Sequence, residues 1–134
     1  IGDGSLGAGN FYEALNMASL WDLPLLIVIE NNRYAQTTPI ELNLAGEIVD
    51  RPSAFGLNCG EIESNDIEDL YPRFQSIVSG VRQNRKCHVE VVHTYRLKAH
   101  SKGDDFRDID EISAWEKKDP LFFIERKIDG DIKV

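Results

Sequence analysis

The chain has 134 residues, of which 42% are hydrophobic and 28% charged, with a formal net charge of −8. That length and balance suit one modest globular domain with a real core, and the negative charge argues against nucleic acid as a partner and weakly against an anionic membrane surface. No apolar run approaches the ~18 residues of a membrane span, and no signal peptide opens the chain.

In chain order, the first feature is Gly2-Asp3-Gly4. Flanking glycines let a backbone approach a phosphate closely, yet a carboxylate in the same loop should repel it. At ~4 Å and an effective dielectric of ~20, two unit charges repel by about 4 kcal/mol. A divalent cation between them turns that repulsion into a bridge, so the loop reads as a metal–diphosphate site. A glycine-rich turn into a helix normally follows a strand, and only Ile1 precedes this one. The chain therefore reads as a fragment, or a processed product, whose first strand is missing.

Phe11, Ala14, Leu15 and Ala18 fall at helical spacing, which predicts an amphipathic helix from about Gly9 to Asp22, ended by Pro24. Leu25-Leu26-Ile27-Val28-Ile29 is an apolar run of strand length, as expected for a strand buried on both faces of a parallel sheet. Asn31-Asn32 then stand at its carboxyl end, the edge where open α/β sheets bind ligands. Residues 33–60 are weakly periodic and read as loop with a short helix near Ile48. Leu57 to Ile62 reads as a short strand.

Asn65 with Glu68 resembles a capping box ahead of the best helical stripe in the chain, Ile67, Leu70, Tyr71, Phe74, Ile77, Val78 and Val81. Pro72 predicts a kink or restart within it. Val89 to Tyr95 is rich in β-branched residues and reads as a strand, with His88 and His93 as packing residues. A polar loop from Arg96 to Asp108 follows, then a short helix from Asp110 to Lys117. Asp119-Pro120 supplies an N-cap and a first-turn proline for a helix through about Ile128. Cys59 and Cys87 have no metal-ligand spacing and read as reduced buried thiols, which fits an intracellular protein. The alternation of helix and buried strand gives an α/β class with a mainly parallel sheet.

Gly2-Asp3-Gly4-Ser5-Leu6-Gly7 also matches G-x-G-x-x-G, and Glu30 ends the next strand, which imitates a dinucleotide-binding fingerprint. Against a dinucleotide-binding oxidoreductase stand the uncompensated Asp3, the absent first strand and the unexplained asparagine pair.

Gly2-Asp3-Gly4, Glu13-Ala14-Leu15-Asn16-Met17-Ala18, Leu23-Pro24 and Glu30-Asn31-Asn32-Arg33-Tyr34 together resemble the thiamine diphosphate motif. More narrowly they resemble the alpha subunit of 2-oxo acid dehydrogenase first components of the pyruvate, acetoin and branched-chain types. Thr94-Tyr95-Arg96, His100-Ser101, Asp104-Asp105, Arg107 and Asp119-Pro120 continue the likeness in order, so it spans nearly the whole chain.

The resemblance implies a three-layer α/β/α thiamine diphosphate-binding fold, incomplete at the N-terminus, with residues 1–134 forming the C-terminal part of a diphosphate-binding domain. It implies thiamine diphosphate and Mg as cofactors, with Asp3, Asn32 and the Tyr34 backbone carbonyl as protein ligands of the metal, a small set that suits a hard ion also bound to phosphate. Gly4 and Ser5 would offer backbone N–H groups to the diphosphate, aided by the following helix N-terminus. His100, on a mobile loop at the active-site mouth, is the implied catalytic and cofactor-contacting side chain. Ser101 matches a position phosphorylated in mitochondrial relatives. Arg96, Lys98, Lys102 and Arg107 read first as partners of Asp104 and Asp105 within their own loop.

The implied reaction is oxidative decarboxylation of a 2-oxo acid with acyl transfer to the lipoyl carrier of an acyltransferase component. The implied partner is a beta subunit or beta-like domain, in a heterotetramer or homodimer, which supplies the glutamate that activates the cofactor ring. The expected location is the cytoplasm, or the mitochondrial matrix in a eukaryote. Alone, the chain is not expected to be a competent enzyme, and a non-catalytic fragment of the same fold stays an alternative, as does a different thiamine diphosphate class, against which His100-Ser101 argues. Phe106 where many relatives have Tyr, Lys102-Gly103-Asp104-Asp105, and Glu63-Ser64-Asn65-Asp66 depart from the common pattern and leave the substrate open.

Overall fold

A computed structural model describes residues 1–128, so the last residues of the expected 1–134 domain lie outside it. A 3-10 turn, Asp3–Gly7, leads into α1 (Gly9–Leu20), then β1 (Leu26–Asn31), a small hairpin of β2 (Tyr34–Ala35) and β3 (Thr38–Pro39), a second 3-10 turn, Ile40–Leu42, and α2 (Asp50–Ala54). Next come β4 (Asn58–Ile62), α3 (Ile67–Asn84), β5 (His88–His93), α4 (Ile109–Glu116) and α5 (Pro120–Lys127). No helix among the described residues is long and apolar enough to cross a membrane.

The three longer strands form one parallel sheet in the order β1-β5-β4, with Ile29 opposite Val91 and Cys59 opposite Val89. The α/β class and the parallel sheet are therefore as expected. β5 is central and is buried from Val89 to Val92, as a strand covered on both faces must be. Gly2 makes an isolated parallel bridge to Glu30, and the Glu30 N–H donates to the Ile1 carbonyl at 2.8 Å. The residues just before Asp3 thus run along the outer edge of β1.

Val89, Val91 and Ile29 pack with Leu6, Leu15, Ala18, Ile48, Leu57 and Cys87 into one core on the α1 side of the sheet. Leu15 and Ala18 are the buried positions of α1, whereas Ala14, expected in the same stripe, is exposed. The opposite face carries a charge. Glu90, in the middle of β5, is fully buried and ion-pairs with the Arg73 guanidinium from α3, while His88 Nε2 lies 2.9 Å from its second oxygen. Arg73 Nη2 also donates to the Glu61 carbonyl at 3.0 Å. Gly60 opposes Glu90 in the register, and a Cβ there would stand 2.5 Å from Glu90 Oε2, so the glycine vacates the space the carboxylate fills.

Several local expectations shift. Strand β5 stops at His93, and His88 and His93 are hydrogen-bonded polar groups rather than packing residues. The cap of α3 is Asp66, not Asn65: its carboxylate accepts the Glu68 N–H at 2.9 Å, and Ser64 Oγ accepts the Asp66 N–H. Helix α3 runs on through Pro72 without a restart. Proline forfeits the bond to the Glu68 carbonyl, and the helix nevertheless continues past it to Asn84. The apolar stripe of α3 contains no fully buried residue, and charged Arg73 reaches from it to Glu90 on the sheet.

Candidate functional site

Leu6 is fully buried in the core, and anchoring it draws the whole Asp3–Gly7 turn inward. Asp3 goes with it and is 2% exposed, with Oδ2 buried and without a hydrogen-bond partner. Burial pushes its carboxyl above the ordinary aspartate value. The backbone N–H groups of Asp3, Gly4 and Asn32 act in the opposite direction, and nearby Glu30 adds to the rise. A buried carboxylate oxygen with no partner is costly unless a cation or donor completes it.

Gly4 presses against β2. A Cβ on Gly4 would lie 2.8 Å from Ala35 Cβ and 3.2 Å from Ala35 Cα, so any side chain would push the turn off the hairpin. This contact, together with the Asn32 N–H beside the Asp3 carboxylate, brings the Asp3 turn and the Asn32–Ala35 segment together.

Asn31 and Asn32 each fold their side chain back on the backbone. Asn31 Oδ1 accepts the Arg33 N–H at 3.1 Å, and Asn32 Oδ1 accepts the Tyr34 N–H at 3.0 Å. These two Asx turns carry the chain out of β1 through Arg33, which sits in the left-handed region at φ 69°. A carbonyl oxygen has two lone pairs, so Asn32 Oδ1 keeps one for a cation. The Asn32 N–H thus lies beside the Asp3 carboxylate, whose Oδ2 has no partner, and Tyr34 follows two residues on. A carboxylate and an amide oxygen are donors that would suit a small hard divalent ion.

The expected phosphate donors fit less simply. The Ser5 N–H already donates to the Gly2 carbonyl at 3.0 Å, and the Gly4 N–H is directed at the Asp3 carboxylate. In this 3-10 turn both amides that the resemblance assigns to the diphosphate point back into the turn itself. What Ser5 presents outward is its exposed side chain.

His100 stands exposed on the loop after β5, and no hydrogen bond among the described residues joins it to Asp3, Asn32 or Tyr34. Of the loop cations expected to pair with Asp104 and Asp105, Arg107 does so, whereas Arg96 donates to the carbonyls of Lys98 and Gln36 and Asp104 is held by Ser101. Asp104 accepts from the Ser101 amide at 2.9 Å and from its hydroxyl. Arg107, with a side chain only 5% exposed, pairs with both oxygens of Asp105 at 2.7 Å and donates to the carbonyls of Arg96 and Lys98. That pairing holds the Asp105 carboxyl down at about 2.

Arg107 also lies over two aromatic rings, 5.1 Å from the Tyr95 centroid and 5.6 Å from that of Tyr34. Tyr95 in turn stacks on Trp115 of α4 at 5.0 Å with the planes 2° apart. Burial and then Glu111 push the Tyr95 phenol up to about 12, and the Tyr34 hydroxyl donates to the Glu111 carboxylate at 3.0 Å. The loop, α4 and the expected ligand Tyr34 are thus one connected unit, which sequence reading missed because its members are far apart along the chain.

A second unit also went unread. Asn31 Nδ2 lies 3.3 Å from His93 Nδ1, and His93 Nε2 lies 3.2 Å from Glu61 Oε2. The Arg33 N–H fixes which end of the Asn31 amide is oxygen, so Nδ2 must donate and His93 Nδ1 must accept. The imidazole proton then sits on Nε2, facing Glu61. Glu30, the acidic residue of the rival dinucleotide reading, accepts from the Thr94 hydroxyl at 3.3 Å.

Both cysteines are free thiols; Cys87 is buried as expected, whereas Cys59 is half-buried. Burial, with Glu90 and Glu61 adding to it, pushes the Cys59 thiol up to about 11, so its thiolate is scarce at neutral pH. We expect native protein at pH 8 to take up iodoacetamide at Cys59 far more slowly than an unfolded control, as read by mass spectrometry; labelling at the control rate would contradict this placement.

A family model described as "Dehydrogenase E1 component" matches residues 1–129. The alpha subunit of the pyruvate dehydrogenase E1 component from Rickettsia conorii is 32% identical over 131 residues, covering 96% of this chain and 40% of that protein. The corresponding subunit of Zymomonas mobilis is 35% identical over 125 residues, covering 90% of this chain and 35% of that one. The chain thus spans about 40% of the length of the first of these relatives. Among solved structures, a transketolase from Campylobacter jejuni superposes with a TM-score of 0.51 at 22% identity, over 69% of this chain and 14% of that one, which supports the α/β fold alone.

Proposed function

Because the chain belongs to the dehydrogenase E1 component family, we propose that it is the metal- and diphosphate-gripping part of a thiamine diphosphate-dependent 2-oxo acid dehydrogenase. The observation that carries this reading is Asp3, a buried carboxylate with an oxygen lacking any partner, set beside Asn32 and Tyr34. In a bare dinucleotide loop such a charge has no counterpart. Mg would give it a counter-charge, with Asp3, the Asn32 side-chain oxygen and the Tyr34 carbonyl as the residues that would hold the ion.

Bound there, the cofactor supplies the electron sink for decarboxylation of a 2-oxo acid. The chain's own contribution is positional and electrostatic. Asp3, Asn32 and Tyr34 hold the ion, Ser5 and the adjoining helix α1 face the diphosphate, and Gly4 keeps the turn close to the hairpin. His100, on a loop pinned at its base by Arg107, is the proposed proton donor or hydrogen-bond donor at the reacting centre. A beta subunit or beta-like domain completes the site, and a lipoyl carrier takes the acyl group.

The test is a calorimetric titration of the assembled parent enzyme with thiamine diphosphate, with Mg and then with chelator. Tight binding that the chelator abolishes is expected. Mg-independent binding, or tight binding of NAD in its place, would overturn the assignment.

A further inference from the structure

The Asn31–His93–Glu61 chain joins the carboxyl ends of β1, β5 and β4 immediately beside the expected metal ligand Asn32. Asn31 is 7% exposed and is clamped at both ends of its amide, by the Arg33 N–H on one side and by His93 on the other. The next residue but one, Arg33, holds a left-handed backbone conformation that a non-glycine residue adopts only when its surroundings over-determine it. The doubly clamped Asn31 acts on it from the β1 side, while the Ile40 N–H holds the Arg33 carbonyl and Asn32 Oδ1 the Tyr34 N–H on the other.

His93 is the residue that makes the clamp possible. It borders a cavity of about 260 Å³ on one side, with Asn31, Glu61 and Ile48, and one of about 360 Å³ on the other, with Arg33, Trp115 and Lys118. Glu61 holds the Nε2 proton, which leaves Nδ1 as a lone-pair acceptor for Asn31. We infer that His93, in this single tautomer, is a positioning residue for the Asn32–Tyr34 metal-ligand turn. This rests on the diphosphate reading for its functional meaning, but the turn-setting itself does not.

Leucine fills the volume of His93 and offers Asn31 nothing, so Asn31 Nδ2 loses its acceptor. Glutamine restores an acceptor toward Asn31 and a donor toward Glu61. In the assembled parent enzyme, His93→Leu is expected to raise the Mg concentration needed for thiamine diphosphate binding by about tenfold, the scale typical of lost outer-shell partners. Hydrogen exchange across Arg33 and Tyr34 is expected to accelerate in the same variant, and His93→Gln should restore both. Unchanged exchange and unchanged Mg dependence in His93→Leu would overturn the inference. So would a His93→Gln variant as impaired as His93→Leu, since that marks a packing role. If the wild type shows no Mg-dependent binding while exchange responds and glutamine rescues it, the diphosphate reading falls and the turn-setting role stands.

Discussion

Arg73→Leu should lower the stability of the fold by about 3 kcal/mol in urea denaturation. Breaking a buried ion pair by removing one partner typically costs ~3–5 kcal/mol, because the other charge is left without compensation. Glu90 is that other charge, fully buried in the middle of the central strand. The Arg73 side chain is 38% exposed, so water can partly reach the gap it leaves, and the lower end of the range applies. His88, 2.9 Å from the second oxygen, stays behind as a partial substitute.

The double variant Arg73→Leu with Glu90→Leu separates the pair from the packing. A buried ion pair replaced by apolar residues of similar volume is often close to neutral, so the double variant should recover most of the loss, and the coupling in the cycle should exceed ~1 kcal/mol. A single-variant loss below about 1 kcal/mol, the scale of an exposed pair, would show that Glu90 is not carrying a buried charge.

Asp3→Asn should abolish Mg-dependent cofactor binding in the assembled parent while leaving the fold intact, and Asp3→Ala should do the same. Loss of an outer-shell partner of a metal typically costs 10–100-fold, so loss of a direct carboxylate ligand should cost roughly 100-fold or more. Stability should move little, and upward if at all. The Asp3 carboxylate is buried, desolvation disfavours its charged form, and one oxygen has no partner. Removing that charge relieves a penalty of folding. Retained Mg-dependent binding in Asp3→Asn would refute the ligand role, and a large drop in the denaturation midpoint would show that Asp3 is chiefly structural.

These two residues also mark how far the sequence could be read. Asp3 announces itself, because a carboxylate between two glycines has no good reason to be there without a cation. Asn32 follows from the length of the apolar run before it, since a buried parallel strand must end near Ile29 and ligands gather at that edge. Their convergence needed only one turn–helix–strand unit. Glu90 was passed over in a run otherwise apolar, because its tolerance depends on Gly60 one strand away and Arg73 on a helix, and no local pattern encodes that meeting.

His93 is missed for the same reason. Its partners lie on β1 and β4, and only the insertion of β5 between them places all three at one edge. The α3 cap moved by one residue because Asn65 and Asp66 are chemically equivalent candidates, and only the backbone decides which one turns its oxygen toward Glu68. His100 was readable from the family resemblance and not from its surroundings, since the loop charges around it pair with one another and leave the imidazole exposed.

The flat stack of Tyr95 on Trp115, capped by Arg107, has an optical consequence. The chain has two tryptophans. Trp21 is 58% exposed at the end of α1, while Trp115 stacks on a tyrosine ring, with the Lys118 ammonium 4.7 Å from the Trp115 centroid. Fixed aromatic pairs in an asymmetric environment give strong near-ultraviolet dichroism, and freely rotating exposed rings give little. Trp115 is therefore a built-in chromophore for the loop that carries His100: when Arg107 lets go of Tyr95, that band should fade while the helical far-ultraviolet signal stays.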